Sequence, residues 1–172
     1  MSLTDQVAVV TGAGRGIGLA CVRALARDGA AVVVATPEDD ERAEVLAELE
    51  AAGHQVLGTS TDVTSEDDLT QMVEATLDRF GRIDILVNNA GVIGPTAALQ
   101  DVARHEWEAV MEVNLTGVYL ASRAVLPTLL AQRSGRIINI ASAAGQIGFP
   151  LRSPYAASKW AVIGLTKTLA VE

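Results

Sequence analysis

Tyr155 and Lys159 stand four residues apart, and Ser142 precedes the tyrosine by thirteen. On a helix, positions i and i+4 lie one above the other on the same face, so this spacing sets an ammonium beside a phenol. A nearby positive charge favours phenolate over phenol and draws the tyrosine pKa down from about 10 toward neutrality, which suits a general acid or base. A lone Tyr-x-x-x-Lys pair is common on ordinary helices, where both side chains lay apolar stems along the surface. Its weight comes from the elements that position it and the motifs that precede it.

Short apolar, β-branched runs alternate along the chain with longer segments of helical period. The pattern predicts strands over residues 7–11, 31–35, 56–60, 85–88 and 137–142. Helices are predicted over 16–28, 38–52, 65–80 and 102–132, the last bent near Pro127, and from Pro154 to the end. Gly53 and Gly81 stand where helix C-caps are needed, and Ser65-Glu66-Asp67-Asp68 opens a helix with capping-box chemistry. Strands alternating with helices call for an α/β fold, a doubly wound parallel sheet with right-handed crossovers, in a single domain over 1–172. Ligands bind such sheets at the carboxyl ends of the strands, and Ser142 and Asn89 both fall on that edge.

Thr11-Gly12-Ala13-Gly14-Arg15-Gly16-Ile17-Gly18 follows the first strand and opens the first helix, the context of a dinucleotide site. Glycines at 12, 16 and 18 would let backbone approach a pyrophosphate, and the helix N-terminus offers unpaired N–H groups and a positive dipole end. Arg15 places a cation inside that loop. Further on come Asn88-Asn89-Ala90-Gly91, Asn114 within Val113-Asn114-Leu115-Thr116-Gly117, then Ser142, Tyr155 and Lys159. In this order and spacing the chain resembles a short-chain dehydrogenase/reductase, with a Rossmann-like sheet.

The resemblance implies a set of roles. Tyr155 would exchange a proton with the substrate oxygen while hydride moves to or from nicotinamide. Lys159 would lower the tyrosine pKa and hold the nicotinamide ribose. Ser142 would polarise the carbonyl in the manner of an oxyanion-hole donor. Asn114 would hold a water linking Lys159 to solvent. Cofactor contacts are implied for Gly12, Arg15, Gly16, Ile17 and Gly18, for Thr36, for Asp62 and Val63 at the adenine ring, and for Asn89, Ala90 and Gly91, besides Tyr155 and Lys159. An acid at the end of the second strand would bind the ribose hydroxyls of NAD. Thr36 stands there instead, followed by Pro37. Arg15 favours a 2′-phosphate and the acidic run Glu38-Asp39-Asp40-Glu41 opposes it, so the reading is NADP or NAD with NADP preferred. The substrate would be a small secondary alcohol or ketone, either a 3-oxoacyl thioester or a sugar, polyol or cyclic alcohol. Gln146, Ile147, Phe149, Leu151 and Arg152 would line its pocket, and Arg152 would either meet an anionic substrate or stay solvated.

The family continues beyond this point with a sixth strand, a substrate-covering segment and a seventh strand. The resemblance therefore covers about two thirds of its domain and leaves the sheet incomplete at its carboxy-terminal edge. On that reading the chain by itself is poorly soluble or inactive, and the family's homo-oligomer does not form in its usual way. A catalytically silent fragment or cofactor-binding module is the rival reading, and the full Asn-Ser-Tyr-Lys set argues against it. A serine hydrolase lacks its G-x-S-x-G elbow here.

Composition sets outer bounds. The 172 residues are 49% hydrophobic yet only 3% aromatic, so the core must be aliphatic. A net charge of −8, with lysine only at 159 and 167, speaks against nucleic acid. Neither a signal segment nor a run of about 20 apolar residues is evident, which points to the cytoplasm and away from membranes. The single cysteine, Cys21, reads as a small core residue, and His54 and His105 are too isolated for a metal site. Trp160 reads as packing in the core or at a subunit interface.

Overall fold

The computed structural model describes residues 2–172. Five strands, β1 (Val7–Thr11), β2 (Ala31–Ala35), β3 (Val56–Thr59), β4 (Ile85–Asn88) and β5 (Arg136–Asn139), form one parallel sheet in the order β3-β2-β1-β4-β5. The helices are α1 (Gly16–Arg27), α2 (Asp39–Ala51), α3 (Glu66–Phe80), α4 (Arg104–Met111), α5 (Gly117–Gln132) and α6 (Ser153–Leu169). The chain begins in the middle of the sheet, steps outward to β3, then returns across β1 to lay β4 on its other side. That reversal opens a crevice at the carboxyl ends of β1 and β4.

Strand residues alternate between two separate cores. Val7 and Val9 of β1, with Val33 and Leu86, meet Leu69 and Met72 of α3 and Leu120, Ala121 and Val125 of α5. Ala8 and Val10, with Val32, Val34 and Val87, meet Val22 and Ala26 of α1 and Val45 and Leu49 of α2. With helices on both faces the strands have no wet side, which is why they read as unbroken apolar runs. Each fully buried Val, Leu or Met stabilises the fold by about 1.5–3 kcal/mol relative to an exposed one. Cys21 is half-buried against the second core, as a small apolar residue would be.

Several element ends shift by a residue, and the larger differences from expectation are these. The helix predicted over 102–132 starts at Arg104, because Leu99–Asp101 forms a 3-10 turn and the Glu106 carboxylate accepts from the Ala103 N–H at 3.0 Å. Its irregularity lies at Glu112–Thr116, a π turn in which the Gly117 N–H reaches the Glu112 carbonyl, while Pro127 sits inside α5 without ending it. The fifth strand covers 136–139 rather than 137–142. Beyond Asn139, one further bond joins Ile140 N–H to the Asn88 carbonyl at 2.9 Å, and Ser142 then caps a 3-10 turn over Ala143–Gly145 by accepting from the Ala144 N–H at 3.1 Å. The last helix ends at Leu169.

The run Arg104–Gln132 is long and apolar enough, by length and composition, to cross a membrane. In this fold its apolar residues Leu120, Ala121, Val125 and Leu129 belong to the core against the sheet.

Candidate active site and cofactor groove

The glycine-rich turn is held from the neighbouring strand. Thr11, the last residue of β1, accepts through Oγ1 from the N–H groups of Asn89 and Ala90 at 3.1 and 3.2 Å, and donates to the Val87 carbonyl at 3.4 Å. The Asn89 amide donates to the carbonyls of Thr11 and Gly12, both at 2.9 Å. Asn89 thus works mainly as a brace. A Cβ on Gly12 would stand 2.8 Å from the Ala90 Cα, and one on Gly18 would stand 2.2 Å from the Gly12 carbonyl oxygen, so Gly12 lets the turn approach the segment after β4 and Gly18 lets α1 seat on the turn. Gly16 differs: its φ is +56° and the space over its missing Cβ is open. Arg15 is the N-cap of α1 and offers no capping bond, and the first turn holds no acid. The leading N–H groups therefore lack a side-chain acceptor, the condition for anion binding at a helix N-terminus.

A groove of about 460 Å³ runs along the carboxyl ends of the strands. Its walls bring together Gly12, Arg15 and Ile17 from the turn, Thr36 after β2, Asp62 and Val63 after β3, Asn89, Ala90 and Gly91 after β4, and Tyr155 and Lys159 of α6. Ile17, a large apolar residue 62% exposed, has no core to explain it other than this groove. Asp62 spends one carboxylate oxygen on the Thr64 N–H and hydroxyl at 2.9 and 2.8 Å, a helix-entry turn that leaves its other oxygen available. Gly16, Gly18, Asn114 and Ser142 lie outside the groove lining. Pro37, Glu38 and Glu41, which follow Thr36, and Val113 of the Asn114 motif line it as well, together with Thr61, Val92, Ile93, Ile140 and Ala141, to which the motifs assign no role. Most of them directly follow a strand or an assigned motif, so extending each motif by one or two residues would have found them.

Lys159 is 4% exposed and donates to the Ile140 carbonyl at 2.8 Å. Its Nζ lies 5.8 Å from the centre of the Tyr155 ring, as the four-residue spacing requires. Burial holds the lysine below its ordinary pKa, because the apolar surroundings disfavour the charged form. A Cβ on Gly91 would come within 3.2 Å of the Asn114 Oδ1 and 3.7 Å of the Lys159 Nζ, so glycine keeps that approach clear.

Asn114 sits in the π turn, fully buried. Its Oδ1 accepts from the Val92 N–H at 2.8 Å, and its Nδ2 donates to the Val92 carbonyl at 2.9 Å and to Ser158 Oγ at 3.1 Å. Ser158 in turn donates to the Tyr155 carbonyl at 2.7 Å. The side-chain amide meets protein partners, and the π turn leaves a backbone carbonyl without its usual i+4 donor. Ser142 is half-buried just past β5, immediately after the lining residue Ala141.

Other expectations resolve simply. Arg152 donates to the Gly94 carbonyl at 2.7 Å, and the Ala97 N–H meets the Leu151 carbonyl at 3.1 Å, tying together the two loops beside the groove. Ile147, Phe149 and Leu151 are all exposed, an apolar surface without an occupant in the core. Trp160 is 52% exposed, so it is not a core residue. His54 is half-buried and His105 exposed, and among the described residues no cluster of metal-ligating side chains occurs.

Residues 6–172 match the short chain dehydrogenase family. The 3-oxoacyl-[acyl-carrier-protein] reductase of Synechocystis sp. is 47% identical over 172 residues, covering 99% of this chain and 69% of that protein. The chain belongs to this family. A xylitol dehydrogenase structure bound to NAD+ superposes with a TM-score of 0.96 at 36% identity, over 99% of this chain and 66% of that one. An actinorhodin polyketide ketoreductase structure with NADPH gives 0.94 at 40% identity, again over 99% and 66%. The chain thus spans about two thirds of the length of these relatives.

As a short-chain dehydrogenase the protein is an oxidoreductase of the nicotinamide-dependent class. The residues present suit such a cofactor. The uncapped start of α1 meets the need of a pyrophosphate, the open space over Gly16 leaves room for it, and the groove continues from there to Tyr155 and Lys159.

Proposed function

We propose that this short-chain dehydrogenase interconverts a secondary alcohol and a ketone, with NAD or NADP bound along the groove from Thr36 and Asp62 to Lys159. The observation that carries the reading is one continuous groove with an anion-ready helix start in its wall and a buried ammonium stacked near a tyrosine ring in the same wall. When bound, the nicotinamide supplies or accepts the hydride. Tyr155 gives its phenolic proton to the carbonyl oxygen during reduction and recovers it during oxidation. Lys159 stabilises the phenolate through its charge, which acts strongly because burial keeps water away. Ser142 donates its hydroxyl to the substrate oxygen. Asn114 fixes Val92 and Ser158, and so the backbone at Tyr155, in place.

A single domain carries both cofactor and catalytic residues. The exposed apolar side chains of Ile147, Phe149 and Leu151 support a substrate with apolar carbon next to its carbonyl. Both 3-oxoacyl thioesters and cyclic alcohols meet that description, whereas a sugar or polyol carries hydroxyls on those carbons. The acidic charge fits a cytoplasmic enzyme with a small-molecule substrate and no nucleic-acid or membrane partner. Exposed Trp160 and Tyr119 support a homo-oligomer. The test is titration of NADH and NADPH into the purified protein by fluorescence, followed by assay with a 3-oxoacyl thioester, a polyol and a cyclic ketone. Cofactor binding is expected, with turnover on one of them in a full-length context, and failure to bind either cofactor would refute the reading.

A further inference from the structure

Gly14 lies in the glycine-rich turn but carries none of the family's three glycine positions, and its φ is not in the left-handed region. The reason for glycine is found elsewhere. A Cβ there would meet the Glu41 Cβ at 2.8 Å and its Oε2 at 2.6 Å. The first turn of α2 is seated directly on the phosphate-binding turn, and Glu41 is the residue that touches it. Its other carboxylate oxygen lies 3.5 Å from Arg15 Nη1. Arg15 and Glu41 both line the cofactor groove, beside Thr36 and Glu38.

This pair bears on the choice between two dinucleotides. In a doubly wound sheet the end of the second strand faces the adenosine ribose, where one cofactor carries a hydroxyl and the other a phosphate. Besides Lys159, which sits beside Tyr155, Arg15 is the cation in the groove wall. The next cation, Arg42, donates to the Thr36 carbonyl at 2.7 Å and pairs with Asp39. Glu38 accepts from the Thr36 hydroxyl and adds a second carboxylate to the wall. A ribose diol can donate to carboxylates. A 2′-phosphate must take Arg15 from Glu41 and face the remaining negative charge.

We propose that Glu41 is a specificity-determining residue of the cofactor groove, which holds Arg15 and so weakens the protein's preference for a 2′-phosphorylated dinucleotide. The inference rests on the function proposed above. Helix α2 carries Asp39, Asp40 and Glu41 in its first turn, and any of them complements the helix dipole. Only Glu41 is both packed onto the turn and paired with Arg15. Removing its charge frees the guanidinium and removes a repulsion at once.

The experiment measures dissociation constants of NADPH and NADH by fluorescence titration for the parent, Glu41→Gln, Arg15→Ala and the double variant, in low and high salt. Glu41→Gln is expected to tighten NADPH roughly three- to ten-fold with NADH nearly unchanged, and the gain should shrink in high salt. In the Arg15→Ala background the gain on NADPH should be smaller, since only the repulsion is then relieved. An equal change for both dinucleotides, or weaker NADPH binding, would overturn the inference while leaving the groove as the cofactor site. A parent that binds neither dinucleotide would overturn the proposed function itself, and that titration comes first.

Discussion

The Lys159 ammonium is held by the backbone carbonyl of Ile140 at 2.8 Å, a neutral acceptor. A carboxylate in that place would cancel the lysine's field at Tyr155 and raise the lysine's pKa. A peptide dipole fixes the position of the ammonium and leaves its net charge to act on the phenol. The arrangement carries a cost, because a buried ammonium gives up water and burial lowers its pKa.

That cost makes stability depend on pH. Lys159 loses its proton more easily folded than unfolded, so between the depressed folded value and the ordinary 10.5 the unfolded chain binds more protons. Stability contributed at this site therefore rises as pH climbs through that window. Urea unfolding midpoints measured across alkaline pH should show the rise, and Lys159→Met should flatten it. An unchanged profile in the variant would assign the pH dependence to other groups.

In a full-length context Tyr155→Phe should lower turnover by about 10²–10⁴-fold, the range for losing a general acid, and leave dinucleotide binding intact. Stopped-flow hydride transfer beside a fluorescence titration separates the two effects. Turnover near the parent level would remove Tyr155 from the proton-transfer role.

Two glycines of one turn should fail in different ways. Gly12→Ala adds a Cβ 2.8 Å from the Ala90 Cα at a φ of +60°, and should cost stability by several kcal/mol, read as a lower melting temperature. Gly16→Val meets no neighbouring atom within 4 Å, so its stability loss should be the smaller, about 1–3 kcal/mol for the left-handed φ of +56°. Its main effect should be on cofactor, because the new side chain fills the space over the helix start. Equal melting temperatures with equal loss of binding would contradict this division.

Asn114→Ala leaves the Val92 N–H and carbonyl and the Ser158 hydroxyl without their partner. A loss of about 1–3 kcal/mol is expected for each group that stays buried and unpaired. Hydrogen exchange should show faster opening at Val92 and at the start of α6, with α1 unaffected. Exchange unchanged at Val92 would mean the loop after β4 is held by something else.

Much of this can be read from the residues. Glycine spacing, the Tyr155–Lys159 interval and the alternation of strands with helices are local signals, and each fixes geometry by backbone sterics or helical pitch. The features that local pattern misses are set by contacts distant in sequence. Glu41 reaches Gly14 because α2 folds back onto the turn, and no local pattern records that. Asn114 looks like a poor helix former; that it clamps Val92, twenty-two residues away, depends on how α4 lies beside the loop after β4. Apolar Ile140 and Ala141 carry the strand pattern of β5 on to Ser142, three residues too far, although the chain by then turns toward Lys159.

The π turn over Glu112–Thr116 makes this stretch sensitive to chain length. It holds one residue more than an α-helical turn, so α4 on one side and α5 on the other are out of rotational phase by about 100°, one residue's worth of a 3.6-residue turn. Deleting a single residue there would restore an even helix and swing the face that α5 turns to the sheet by that angle. Leu120, Ala121, Val125 and Leu129 would rotate away from β4 together. A helix with no visible loop would then be among the places in the molecule least tolerant of a one-codon deletion.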